Sequence, residues 1–315
     1  MEKLIVSSSP HIHVKTTTRS IMGDVLIALT PAVIASVVLF GLSALIKILV
    51  CVATAVIAEA LFNVIVKKAQ TVTDLSAAVT GTLLALSLPA KANFYHCIIG
   101  ALFAIIIVKC LFGGIGCNFA NPAVTARIVL LIAFSSALAG GSDTVFQSPD
   151  LIGGATPLAA IKNGDTASLP TILDMLIGNR SGAIGEGCAI ALILGGVYLI
   201  VRKVIHWELP VIYLGTVFVL SLIVKQDLTL AVYQVLGGGT VIAAFFMITD
   251  YVTTPINRLG KSAFAVGCAL ITVLIRFWGT YPEGVSFAIL IMNILSPYIE
   301  KLCEKAPFGK VGGAK

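Results

Sequence analysis

Apolar residues run along this chain in long blocks, and polar residues gather between them. Ten blocks, near 22–41, 43–66, 72–88, 96–114, 119–139, 183–201, 208–225, 230–249, 262–279 and 284–300, each read as a helix suited to a bilayer. Several are short for a span. The longest polar interruption, residues 140–182, divides the blocks five and five. The expected fold is an all-α polytopic membrane protein with about ten transmembrane helices.

Composition agrees with this pattern. At 58% hydrophobic and 11% charged residues, with a mean hydropathy of +1.02, the chain holds more apolar surface than one water-soluble core can hide. The first twenty residues are polar and show no apolar run ahead of a cleavage site, so the first block is expected to remain as an anchor. An even number of spans puts both termini on one side. Placing them in the cytoplasm sets fourteen of the 21 basic residues on the inner side and leaves Lys47, Lys91, Lys162, Arg180, Lys225 and Arg276 outside, with Arg127 inside a helix. That bias follows the positive-inside rule, and it turns residues 140–182 outward. The +6 net charge is scattered over loops, which gives no sign of a nucleic-acid partner. Seven cysteines without a Cys-x-x-Cys pair read as small packing residues, and no metal centre is expected.

The two sets of five blocks resemble each other. Val79-Thr80-Gly81-Thr82-Leu83-Leu84-Ala85 reads like Gly237-Gly238-Gly239-Thr240-Val241-Ile242-Ala243. Gly100 through Lys109, then Phe119-Ala120, reads like Gly267 through Arg276, then Phe287-Ala288. An odd number of helices per copy makes the copies inverted across the membrane. The expected organisation is a cytoplasmic segment 1–21, a first five-helix repeat 22–139, an extracytoplasmic loop 140–182, a second five-helix repeat 183–300 and a cytoplasmic tail 301–315.

Inverted repeats place a pathway at their axis, often beside helices broken by Gly or Pro. The glycine-rich Phe112–Ala123 stretch and its counterpart Trp278–Gly284 are the candidates, with Asn121-Pro122 also readable as the cap and first turn of the fifth helix. Ionisable residues at depth are costly unless paired or wet, which singles out Glu59, Asp74, Arg127, Glu186 and Asp250. Asp74 suits a helix cap. Glu186 suits the outer interface of the sixth helix, and Asp250, near Arg258, suits a surface pair or cap. Arg127 suits either a buried carboxylate or a phosphate or flavin oxygen. Arg127, Asn121, Asp250 and Glu283 are the expected ion-pathway residues.

Asp150-Leu151-Ile152-Gly153-Gly154-Ala155-Thr156-Pro157, in the polar interruption, resembles the site at which a flavin transferase esterifies a threonine with FMN. Such sites occur in the RnfD/NqrB family, membrane subunits of Rnf electron-transport complexes and of sodium-pumping NADH:quinone reductases. Gly153 stands where that family more often has Ser or Thr. Similar stretches are Asn118–Ala123, Gly182–Glu186, Ile248–Pro255 and Tyr281–Ala288, and the short leading segment looks more like the Rnf member. The resemblance implies a prokaryotic inner-membrane subunit that is not an enzyme by itself. It implies covalent FMN on Thr156 with Asp150, Gly154 and Ala155 as the supporting motif, and a second, noncovalent flavin, riboflavin or FMN. Its implied partners are the other subunits of the Rnf complex, the flavin transferase and membrane lipid. Its implied activity is electron transfer between ferredoxin and NAD, coupled to Na+ or H+ translocation.

On the residues alone, little bulk at Gly153-Gly154-Ala155 lets the backbone enter a transferase, and Pro157 forces Thr156 into extended geometry, so its hydroxyl is expected to project. Ser168–Gly178 reads as a short helix capped by Ser168 and stopped by Gly178. The rival readings are the quinone-reductase subunit, a non-redox inverted-repeat channel or permease, and a scaffold for redox partners.

Overall fold

The computed structural model describes residues 16–138, 142, 144, 156–164 and 169–303. Among these the chain is helical, with no strand beyond two isolated bridges, Pro89 to Ala183 and Ser142 to Gly182. The first half holds α1 (Thr18–Phe40), α2 (Leu42–Ile65), α3 (Ser76–Ser87), α4 (Phe94–Leu102), α5 (Pro122–Ala133) and α6 (Ser135–Leu138). The short helices α7 (Pro157–Asn163) and α8 (Ile172–Ile177) follow. The second half holds α9 (Ala189–Val201), α10 (Glu208–Lys225), α11 (Leu228–Leu236), α12 (Thr240–Ile242), α13 (Arg258–Trp278) and α14 (Val285–Cys303). Wider π-helical turns extend α4 through Phe103–Cys110 and α12 through Ala243–Met247.

All ten apolar blocks contain helix, but length separates them. α1, α2, α10, α13 and α14 are long and apolar enough to cross a bilayer, and α11 with Thr240–Met247, bent by 61°, makes a sixth. The Ser76–Ser87, Phe94–Cys110, Pro122–Ala133 and Ala189–Val201 helices are shorter than a bilayer core requires. Polar punctuation inside the blocks shortens them: Asn121-Pro122, for example, starts α5 three residues later than hydropathy suggests, with the Asn121 side chain accepting from the Ala123 and Val124 amides.

Large apolar side chains such as Ile34, Leu49, Leu61, Ile223 and Leu274 stand exposed on the long helices. Against lipid tails those faces need no cover, so this is a membrane protein. α3 forms the centre, buried along nearly its whole length against α2, α5 and α1. Gly81 permits the approach of α2, since a Cβ there would stand 2.8 Å from Val52 Cα. Across the halves α1 packs on α9 and α5 on α14. Within them, α2 packs on α3 and α4, as α10 does on α11 and α13.

Candidate functional site

Thr156 opens α7. Its backbone is extended (φ −68°, ψ 149°), as a residue before proline must be, and Pro157 takes the first helical position. Its hydroxyl does not project: it turns back to accept from the Ala159 amide at 3.3 Å, and the residue is only 3% exposed. The local rule fixed the backbone, while capping and packing decided the side chain. Asp150, Gly154 and Ala155 lie outside the described residues, as does Ser168. The cap of α8 is Thr171, which exchanges hydrogen bonds with Asp174; Gly178 ends the helix as expected. The Thr171 hydroxyl holds the Asp174 carboxyl below its ordinary range.

A small separate core clamps these helices onto α11. Leu158 and Ile161 from α7 and Met175 from α8 bury against Tyr233, whose hydroxyl donates to the Pro170 carbonyl. Lys162 adds a tether, donating to the Gly279 and Tyr281 carbonyls of the α13–α14 connection.

Beside α7 lies a cleft of about 690 Å³, reached by Ala159 and lined by Leu88, Leu131, Leu138, Pro282 and the Arg127–Glu283 ion pair. Its apolar walls suit a flat aromatic group, and Arg127 supplies a cation suited to an electron-rich oxygen or nitrogen. The lining suits a flavin ring, but Thr156 does not itself line the cleft; only Ala159 of α7 does.

Behind the cleft the chain breaks at Gly237-Gly238-Gly239. Helix α11 ends there, and its last carbonyls are shared between the Thr240 hydroxyl, which donates to Gln234 O and Gly237 O, and two buried guanidinium groups. Arg276 donates from Nη1 to Gln234 O and Oε1 (2.5 and 3.2 Å), and from Nη2 to Gly237 O, Gly238 O and Thr240 Oγ1 (3.1, 3.2 and 2.6 Å). Arg180 donates to Leu236 O at 2.8 Å and Glu186 O at 2.9 Å. Glu186 is buried among arginines rather than placed at the surface. It is 4% exposed, 3.8 Å from Arg127, and so near the break that a Cβ on Gly239 would meet its Oε1 at 2.9 Å. A carboxylate this dry needs the surrounding arginines, which draws it inward.

At the other end of α3 a cleft of about 800 Å³ is lined by Ser76, Lys109, Asn118, Asn121, Asp250 and Phe245, among others. Asp250 does not pair with Arg258, which instead lies 3.9 Å from Glu208. It organises its own turn, accepting from the Val252 amide, the Thr253 hydroxyl and Asn121 Nδ2 (3.2, 3.3 and 3.5 Å). The four expected pathway residues therefore resolve into two pairs in different clefts, Arg127 with Glu283 and Asn121 with Asp250. Asp74 does not cap α3; it accepts from the Ser76 hydroxyl at 3.2 Å, and Leu75 precedes the helix in left-handed geometry.

Sequence reasoning flagged Glu59 but not its partner. Lys109 donates to Glu59 Oε1 at 2.8 Å and Ser76 Oγ at 2.6 Å, all buried. Removing Glu59 alone should cost about 3–5 kcal/mol, because Lys109 is left charged without a counterion. The double variant Glu59→Leu with Lys109→Met should recover much of that loss, as read by melting temperature in detergent. Two additive losses would show that the pair is not coupled. The repeat had already matched Lys109 with Arg276; what it did not show was that Lys109 reaches Glu59, fifty residues away in the chain.

The fold and its clefts define an all-helical membrane protein with a break in one helix braced by buried cations. Comparison with known proteins is more specific. The chain belongs to the NQR2, RnfD, RnfE family, whose model matches residues 5–309. It is 44% identical to the D subunit of the Na(+)-translocating ferredoxin:NAD(+) oxidoreductase complex of Acetobacterium woodii, over 97% of this chain and 95% of that one. It is 39% identical to the corresponding subunit of the proton-translocating ferredoxin:NAD(+) oxidoreductase complex of Clostridium ljungdahlii, over 96% of each chain. It is 36% identical to that of the ion-translocating oxidoreductase complex of Halorhodospira halophila, over 96% of this chain and 95% of that one.

Proposed function

We propose that this chain is the membrane subunit of an ion-translocating ferredoxin:NAD oxidoreductase complex, carrying FMN as a phosphoester on Thr156. The observation that carries the reading is the position of Thr156 as the cap of α7, three residues before Ala159, which lines the Arg127 cleft. In forming the ester, a transferase would join the Thr156 oxygen to the phosphorus nearest the flavin in FAD, breaking the phosphoanhydride bond; AMP leaves and the hydroxyl gives up its proton. When bound, the flavin supplies one- or two-electron transfer. Leu88, Leu131 and Leu138 would exclude water from the cleft, and the Arg127–Glu283 pair would set its charge. A second, noncovalent flavin has space of similar size in the opposite cleft, with polar groups at Lys109, Asn118, Asn121 and Asp250.

Ten membrane-crossing helices in two inverted five-helix repeats are part of the same proposal. Its support is a shared contact: Lys109 reaches Ser76, and Arg276 reaches Gln234, residues that stand at matching places in the two copies. The cytoplasmic termini and outward Thr156 rest on the basic-residue bias. Coupling to Na+ or H+ rests on the names of the relatives, which differ on the ion. Vesicles holding the assembled complex with Thr156→Val are expected to lose ferredoxin-driven ion uptake, with the intact complex as reference. Undiminished uptake would overturn the proposal.

A further inference from the structure

A third cavity, of about 320 Å³, lies on the opposite side of Pro282 from the Arg127 cleft. Lys162, Lys225 and Arg276 line it with Gln234, Phe277 and Pro282, and among the described residues no carboxylate does. Lys162 and Lys225 are exposed, whereas Arg276 is 3% exposed. Its Nε has no hydrogen-bond partner among the described residues, although its terminal nitrogens hold the α11 carbonyls.

Three cations meet at one small opening whose described lining holds no carboxylate; Glu283 and Glu186 act on Arg276 from outside the cavity, and neither reaches the two lysines there. Under the positive-inside orientation these are three of only six basic residues on the outer side, so the grouping runs against the general bias. The position says what would neutralise them. Lys225 sits in the last turn of α10 and Arg276 in the last turn of α13, two adjacent helices long enough to span. Exposed Trp278 follows at the same end, as expected of an aromatic residue at the membrane interface, and Lys225 lies 5.5 Å from the Phe277 ring centre. Below this level, exposed Ile223 and Leu274 face lipid tails.

We propose that this cavity binds the phosphate of an anionic phospholipid headgroup, with Lys225 and Lys162 as the accessible donors and Arg276 as the fixed charge behind them. The acyl chains lie along the α10–α13 surface. Thr156 itself does not line the cavity, but Leu158, Ile161 and Lys162 of α7 do, so the Thr156→Val arm of the test separates a lipid phosphate from a flavin phosphate.

The test uses the full chain, purified in detergent and stripped of lipid, with native mass spectrometry reading retained lipid. Phosphatidylglycerol should be retained at one molecule per chain in preference to zwitterionic phosphatidylcholine. Lys162→Gln with Lys225→Gln should weaken that retention roughly 10- to 30-fold. Lys225→Gln alone, which leaves the Lys162 tether in place, should give an intermediate loss. Thr156→Val should retain the lipid fully. Equal retention of the two lipids, or no effect of the lysine variants, would overturn the proposal. Protection against thermal melting by inorganic phosphate that matches phosphatidylglycerol would assign the site to a free anion and overturn the lipid. Loss of the lipid in Thr156→Val would do the same by pointing to the flavin's own phosphate.

Discussion

Replacing Thr156 with valine is expected to give a chain that folds and inserts but carries no covalent flavin. The reasoning separates two roles of one hydroxyl. As a helix cap it accepts a single hydrogen bond from Ala159, and losing that costs about 1 kcal/mol. That is too little to unfold α7, whose docking rests on Leu158 and Ile161. As the acceptor of the phosphoester it has no substitute at its own position, so attachment falls to nothing rather than by a fraction. Thr156→Ser keeps both roles and should retain flavin. The measurement is flavin fluorescence of the denatured chain in a gel, with the mass of the peptide containing residue 156, in cells that supply a flavin transferase. A fluorescent valine variant would place the ester elsewhere, and a bare native peptide would remove it altogether. Burial adds a condition on timing. A hydroxyl on a residue 3% exposed cannot enter a transferase active site while α7 is docked, so attachment must precede docking or follow a local opening.

What could be read from the sequence was what depends on neighbours in the chain. Hydrophobic runs located every long helix, Asn121-Pro122 marked the start of α5, and Gly178 marked the end of α8, because each is decided within a few residues. Even local rules left choices open: Thr171 caps α8, and Pro157 fixed the Thr156 backbone without fixing where its hydroxyl turned. The burial of Glu186 was not legible because its partners come from α5, from Arg180 and from the Gly239 break, none of which its own segment reveals. Of the two readings of Asp250, the capping one held and the pair with Arg258 failed: that cation was visible nearby, but the Val252 amide, the Thr253 hydroxyl and Asn121 satisfy the carboxylate instead. The grouping of Lys162, Lys225 and Arg276 joins three separate elements, and no spacing rule could have brought them together.

Replacing Arg276 with methionine is expected to be the most damaging single change outside the Thr156 segment. Methionine fills comparable space but donates nothing, so three backbone carbonyls of the α11 end, the Gln234 side chain and the Thr240 hydroxyl lose a buried partner together. Gln234 O and Gly237 O keep the Thr240 hydroxyl, whereas Gly238 O and Gln234 Oε1 lose their described partner; at about 1–3 kcal/mol for each group left unsatisfied, the loss is about 2–6 kcal/mol, a large share of the whole stability of many domains. Lysine should rescue only in part: it keeps the charge, but an ammonium has three donors and no planar fork, whereas the guanidinium serves five acceptors from two nitrogens. The matching position in the first half shows the difference. There Lys109 suffices, since it meets one carboxylate and one hydroxyl rather than the open end of a helix. Size-exclusion profiles and melting temperatures in detergent should therefore rank the parent above Arg276→Lys and both well above Arg276→Met. A methionine variant that melts within a degree or two of the parent would mean that the break in this helix is held by something other than Arg276.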